Sequence, residues 1–83
     1  MLHGDIRVND VVIGEWTAAN KTHKVEDFRN YDCTLWYRGL DGYIYEAKWE
    51  IWGAHRGNGA LSLAARVLQE GMSLAKRRVI NTT

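Results

Sequence analysis

The sequence contains no proline and a single cysteine. One cysteine excludes an internal disulfide framework. The sequence also has no apolar run near the roughly 20 residues that a membrane-spanning helix requires. Its first residues, 1–5, lack the basic-then-apolar pattern of a signal peptide. We therefore expect a protein of the reducing cytoplasm that makes no contact with a membrane.

Residues suited to catalysis or metal binding are also scarce. Cys33 and the three histidines, His3, His23 and His55, show neither metal-ligand spacing nor a cysteine–histidine pair close in sequence. A chain of 83 residues is one small domain, too short for a typical enzyme with a buried cofactor. We expect no catalytic residues, no metal and no cofactor, and therefore no enzymatic activity.

Charge is unevenly distributed along the chain, although the net charge is only +1. Residues 1–50 contain nine acidic and six basic side chains, whereas residues 51–83 contain one acidic and five basic side chains. A basic C-terminal third predicts contact with an acidic partner, and nucleic acid is one such partner.

The N-terminal part predicts a hairpin. Two β-rich runs flank Asn9 and Asp10, which are residue types that tolerate the positive φ angles of a tight turn. We predict strands at about 5–8 and 11–18. The polar stretch 19–30 that follows predicts a loop, with a helical turn over 25–28 that ends in Phe28 at the edge of the core.

A second hairpin is predicted with strands at about 31–39 and 43–53. Its loop is the three residues 40–42, because Gly42 supplies the left-handed position that ends a type I turn with a bulge. This register places only apolar pairs on one face of the hairpin. Those pairs are Tyr37–Tyr45, Leu35–Ala47, Cys33–Trp49 and Tyr31–Ile51. On the other face Asp32 lies opposite Glu50, and we expect these carboxylates to splay into water.

From Ala60 onward the apolar period changes from two to about 3.6 residues, which predicts an amphipathic helix over about 59–78. Gly71 lies inside this range and alternatively ends a first helix at Glu70. The predicted apolar stripe is Leu61, Ala64, Leu68, Met72, Ala75 and Val79. The predicted fold class is α+β, an antiparallel meander of three to four strands with one C-terminal amphipathic helix packed on one face.

The sheet face that the helix leaves open is the first candidate site. An aromatic and aliphatic patch on an open sheet face is typical of a binding surface. Such a patch also stacks unpaired bases, but the acidic residues of this face would repel phosphates. We therefore favour a protein partner here. The candidate partner-binding residues are Trp36, Arg38, Ile44 and Trp52.

The basic residues of the C-terminal third are the second candidate site, for nucleic acid or another anion. Free amides at the start of the helix, beside His55 and Arg56, would hold a phosphate or carboxylate. The run 76–78 has two interpretations, a phosphate-binding patch or cations that complement the negative end of the helix dipole. The candidate anion-binding residues are His55, Arg56, Arg66, Lys76, Arg77 and Arg78.

Residues 31–70, a sheet followed by a helix, resemble the C-terminal half of a double-stranded-RNA-binding domain and the DNA-binding domains of phage integrases. The helix opens with Gly59-Ala60-Leu61-Ser62 where the RNA-binding family has a basic cluster, so no functional residue is carried over. The Val8-Asn9-Asp10-Val11 hairpin, in a short tryptophan-rich chain, is similar to small orphan proteins of bacteriophages, particularly of actinobacterial hosts. This resemblance implies an accessory protein that acts in the host cytoplasm if it is phage-encoded.

Together these observations favour a non-enzymatic binding module that acts through protein–protein contacts. Small domains often gain stability by self-association, so a homodimer is expected. The partner is then a second copy or a host protein. The alternative is a nucleic-acid-binding protein that uses the basic C-terminal helix.

Overall fold

The computed structural model describes residues 1–21, 28–55 and 59–79. The described residues form one antiparallel sheet of five strands and one α-helix, so the α+β prediction is confirmed with one strand more than expected. The strands lie side by side in chain order. The elements are β1 (Leu2–Val8), β2 (Val11–Asn20), β3 (Phe28–Arg38), β4 (Ile44–His55), α1 (Gly59–Leu74) and β5 (Lys76–Arg77).

The first hairpin turns at Asn9 and Asp10, whose φ angles of 50° and 64° confirm the predicted tight turn. Both strands are longer than predicted, because β1 pairs with β2 from Leu2 onward and β2 continues to Asn20 through its pairing with β3. The register shifts once, so that β2 carries one extra residue, Ile13, in a β-bulge.

The second hairpin has the predicted register, including all four apolar pairs. The Gly39 amide donates to the Tyr43 carbonyl oxygen at 2.8 Å, which leaves residues 40–42 as a three-residue loop. Gly42 has a φ of +84°, the left-handed conformation that the loop requires.

Asp41 stabilises this loop through two hydrogen bonds. One carboxylate oxygen accepts from the Tyr43 amide at 3.0 Å, and the other accepts from the Tyr45 hydroxyl. The Tyr45 ring in turn stacks on Tyr37 with centroids 5.4 Å apart. Both hydrogen bonds lower the pKa of Asp41, and the one from the Tyr45 hydroxyl has the larger effect. The bond between the two side chains also raises the pKa of Tyr45.

We expect Asp41 to make the stability of the fold depend on acid pH. A carboxyl whose pKa is lowered in the folded state stabilises that state above its unfolded pKa, and loses the contribution as the pH falls through the lowered value. Asp41→Asn should therefore lower the urea midpoint of unfolding at pH 7 and have no effect below the lowered pKa. Tyr45→Phe is the matched variant, since it removes the larger of the two causes. An equal effect of Asp41→Asn at both pH values would contradict this account.

The core lies between α1 and one face of the sheet. The helix packs mostly on β4 and β3 and less on β2. Leu63 and Val67 are its buried apolar side chains, and they meet buried side chains from the sheet. Those sheet residues are Ile6, Trp16, Ala18, Tyr31, Cys33, Leu35 and Ile51.

The predicted apolar stripe of the helix is right at Ala64, Leu68 and Ala75, which pack against the core, and wrong at Met72 and Val79, which are exposed. Residues 63, 67 and 71 are buried, with Ala64 and Leu68 packed beside them, whereas Met72 is 41% exposed. Gly71 does not break the helix. It is buried, and a Cβ atom there would overlap the side chains of Leu35 and Trp49. The helix therefore turns its glycine toward the sheet so that the two can approach closely.

Gly71→Ala should destabilise the protein even though alanine favours the helix. The helix preference contributes about 1 kcal/mol in favour of alanine, while overpacking a core costs about 1–3 kcal/mol. We expect a lower free energy of unfolding in urea. Ser73→Ala, at an exposed position of the same helix, is the control and should be neutral or slightly stabilising. A more stable Gly71→Ala protein would mean that α1 does not approach the sheet this closely.

The C-terminal segment differs from the prediction. The helix ends at Leu74, and Lys76 and Arg77 pair with Glu46 and Tyr45 as the short edge strand β5. The Arg78 amide continues this contact by donating to the Ile44 carbonyl oxygen at 2.7 Å. Pairing with the edge of β4 gives the backbone of residues 76–78 hydrogen-bond partners that the last turn of a helix would lack. These residues are therefore not the end of the helix, and the helix-dipole interpretation is wrong.

Two predicted loops are also shorter than expected. Residues 28–30 belong to β3, and residues 54–55 belong to β4. The predicted helical turn falls mostly in residues 22–27, which lie outside the described residues. Residues 56–58, with Arg56 and the expected helix cap Asn58, also lie outside them.

Candidate protein-binding surface

The face of the sheet opposite α1, here called the outer face, is not covered by any of the described residues. The outward residues of β3, at positions 32, 34, 36 and 38, are all exposed. On β4 the outward residues from 46 to 52 are exposed as well, and Ile44 is half-buried. The prediction that Trp36 and Trp52 point away from the helix is therefore confirmed, with 37% and 63% of these residues exposed.

Trp36 lies near the middle of the outer face between two glutamates on neighbouring strands. Its indole Nε1 donates to the Glu15 carboxylate on β2 at 3.1 Å. Glu46 lies directly opposite on β4, and its Oε2 accepts from Nε and Nη2 of Arg78 at 2.9 and 2.7 Å. Both carboxylates thus have partners, and the remaining surface of the indole is available for apolar contact.

A shallow depression lies beside Trp36, at the end of the sheet where both hairpins turn. Val11 and Val12 line it from the first hairpin and Leu40 from the second. These three residues are more than half exposed. Asp5, Glu15 and Arg38 add charged groups to its lining. Apolar side chains ringed by charged ones are typical of a protein-binding site.

Trp52 lies at the other end of the outer face. Trp36 lies opposite Glu46 on β4, and Trp52 is six residues further along that strand. The two tryptophans are therefore about 20 Å apart along the sheet. A bulge shapes this end, where Gly53 has a φ of +69° and its amide donates to the Asn30 side chain at 2.9 Å. The four predicted partner-binding residues therefore divide into a group of three, Trp36, Arg38 and Ile44, and a separate Trp52.

Lys21 occupies the Trp52 end. Its Nζ lies 4.6 Å from the centroid of the Trp52 ring, 2.8 Å from Glu50 and 3.4 Å from Asp32. The expectation that these two carboxylates splay into water is wrong, because they converge on one ammonium group. The hydrogen bond to Glu50 raises the pKa of Lys21. The ammonium group lies between the two carboxylates and offsets part of their negative charge.

The predicted anion-binding residues do not form one patch among the described residues. Arg66 pairs with Glu70 at 2.8 Å on the helix, and Arg78 pairs with Glu46 on the outer face. Arg77 lies over the Tyr43 ring on the inner side, whereas its neighbour Lys76 faces outward opposite Glu46. His55 is the last residue of β4, and Arg56 lies outside the described residues.

Cys33 is fully buried in the core, as expected from its register. Burial raises its pKa to about 11, and the negative charges of Glu70 and Asp32 add to the shift. The thiol is therefore protonated at neutral pH and inaccessible to a substrate. In the part of the chain that the structure describes, no group of histidine, cysteine and acidic side chains is arranged to hold a metal ion.

Comparison with known proteins adds no relative. No protein-family model, no curated protein and no solved structure matches this chain. Within residues 1–21, 28–55 and 59–79, the single helix is too short and too polar to cross a bilayer. The resemblances to nucleic-acid-binding domains and to phage proteins remain predictions.

Proposed function

We propose that this protein is a small non-enzymatic binding module that recognises a protein partner through the outer face around Trp36, and that it associates with itself. The observation that carries the proposal is the apolar surface at the turn end of that face. Trp36, Val11, Val12 and Leu40 surround one depression there. All four side chains are exposed, and a bound partner would remove their apolar surface from water.

The charges of the outer face favour a protein over a nucleic acid. Glu46 is paired with Arg78, and Asp32 and Glu50 share Lys21. Acidic and basic groups thus alternate across the sheet, with Arg38, Lys48 and Lys76 as further basic groups of this face. A phosphate backbone is held instead by unpaired lysine and arginine side chains gathered on one surface without carboxylates between them. A protein rim with mixed charges is compatible with this pattern.

The phage or bacterial origin and the accessory role belong to the same proposal. They are supported by the resemblance carried by residues 8–11 in a short tryptophan-rich chain. A module of this kind acts by holding one protein against another. We place it in the cytoplasm, the compartment in which a lone buried thiol such as Cys33 stays reduced.

Trp36→Ala should abolish partner recognition without unfolding the protein. A library of displayed peptides and small domains, panned against the wild-type chain, would supply a set of binders for this test. Central aromatic anchors contribute about 2 kcal/mol or more, so most binders should lose affinity on the order of tenfold or more with Trp36→Ala. Trp52→Ala, the same truncation about 20 Å away, is the matched control and should leave binding intact.

Two results would contradict the proposal. One is a set of binders that is insensitive to Trp36→Ala. The other is micromolar binding of mixed oligonucleotides that falls steeply with salt and is lost when residues 76–78 are made neutral, which would favour the nucleic-acid alternative. Circular dichroism of Trp36→Ala is an essential control, because loss of the fold would place Trp36 in the core.

A further inference from the structure

Strand β1 forms one edge of the sheet, and none of the described residues pairs with its outer side. At the opposite edge β5 covers β4 only at Tyr45 and Glu46, and the open part of β4 beyond them is interrupted by the bulge at Gly53. β1 runs for seven residues, Leu2–Val8, and β2 is its neighbour in the sheet on one side alone. Along its other side alternate backbone N–H and C=O groups face outward and can pair with another strand.

β1 has little of the usual protection of an edge strand, and the bulge of its hairpin lies in β2 rather than in β1 itself. It contains no proline, and Leu2 and Val8 at its ends are exposed apolar residues. Its charged residues Asp5 and Arg7 point to the outer face and form an ion pair at 3.3 Å, so they do not place an unpaired charge across the edge. Such an edge is a template for a strand from another molecule.

We propose that β1 pairs antiparallel with β1 of a second copy of this chain, in the register centred on Ile6. The inference rests on the self-association stated in the proposed function and adds the surface and the register. In this register Asp5 lies opposite the partner's Arg7, and Arg7 lies opposite the partner's Asp5. Opposite charges directly across an antiparallel pair stabilise it, and the two-fold axis produces this pair twice.

The apolar side of β1 fits the same register. Ile6 meets the partner's Ile6, and Gly4 meets the partner's Val8. Gly4 has no side chain, and the Trp16 indole lies so close that a Cβ atom on Gly4 would be only 2.6 Å from Nε1. The partner's Val8, half exposed in the single chain, thereby reaches the edge of a buried aromatic ring and continues the core across the dimer.

The neighbouring registers lack this complementarity. Residues that face each other must share a side of the sheet, so only registers centred on a residue occur in a symmetric pair. Centring on Asp5 places two carboxylates directly opposite each other. Centring on Arg7 places two guanidinium groups directly opposite each other. Centring on Gly4 leaves Arg7 opposite the partner's Met1, without a carboxylate, and Asp5 opposite the partner's His3. The register on Ile6 pairs both charges, and it joins two sheets into one of ten strands with both helices on the same side.

The test uses charge reversals and light scattering on the full chain. Wild type should have a mass of twice 9.5 kDa at high concentration. Asp5→Arg and Arg7→Asp each place like charges opposite each other twice in the dimer. Each alone should raise the dimer dissociation constant on the order of tenfold or more. Mixing the two variants restores both opposite-charge pairs and should restore a dimer containing one chain of each. The double variant with both reversals should also be dimeric.

Lys48→Asp is the matched control, because it makes the same charge change as Arg7→Asp on the outer face of β4, away from the edge. It should remain dimeric. Trp36→Ala should also remain dimeric, because it alters the proposed partner surface and not the β1 edge. The two proposals can therefore fail independently of each other. The inference is overturned by a monomeric wild type or by single reversals that dimerise normally. It is also overturned by a mixture that stays monomeric, or by loss of the dimer in Trp36→Ala or Lys48→Asp. Both reversed residues are exposed, so circular dichroism should show all variants folded.

Discussion

The close approach of α1 to the sheet at Gly71 determines the rest of the structure. The absence of a side chain there lets the helix settle between Leu35 of β3 and Trp49 of β4. Leu63 and Val67 on the preceding turns are thereby buried over the middle of the sheet. A single helix covers only one face, so the position of this contact also decides which face stays open. The face opposite this contact is the outer face, which carries the exposed Trp36.

Much of the fold was predictable because its signals are local. The Asn9-Asp10 turn and the left-handed Gly42 each specify a loop length, and a loop length sets the register and the faces of a hairpin. The four apolar pairs and the outward direction of Trp36 and Trp52 followed from parity alone.

The parts that were not predicted depend on contacts between distant segments. Lys76 and Arg77 carry no strand signal of their own and become β5 only because β4 has a free edge beside them. The helix face was misjudged because a glycine within a helical pattern resembles a terminator, and its packing role depends on Leu35 and Trp49. The approach of Lys21 to Trp52 requires β2 and a bulged β4 to lie at the same end of the sheet.

The candidate site, too, was predictable where its residues are close in sequence and not where distant segments meet. Trp36, Arg38 and Ile44 were predicted to lie together because they occupy neighbouring positions of one hairpin. The depression beside them was missed, since Val11 and Val12 reach it only when the two hairpin turns lie at one end of the sheet. Charged residues that resembled a basic patch in the sequence are paired with carboxylates or divided between two faces. In this fold several of the charges connect neighbouring strands, and the apolar side chains beside Trp36 stay exposed.

The account depends on which tryptophans meet solvent, and a soluble paramagnetic probe measures this directly through relaxation of the indole ring protons. Trp36 and Trp52 should show strong enhancement. Trp16, which is 7% exposed, and Trp49, whose Nε1 is buried, should show little. Such a pattern would support an open outer face opposite the helix. A Trp36 ring as protected as that of Trp16 would mean that the outer face is covered, and the proposed binding surface would not exist.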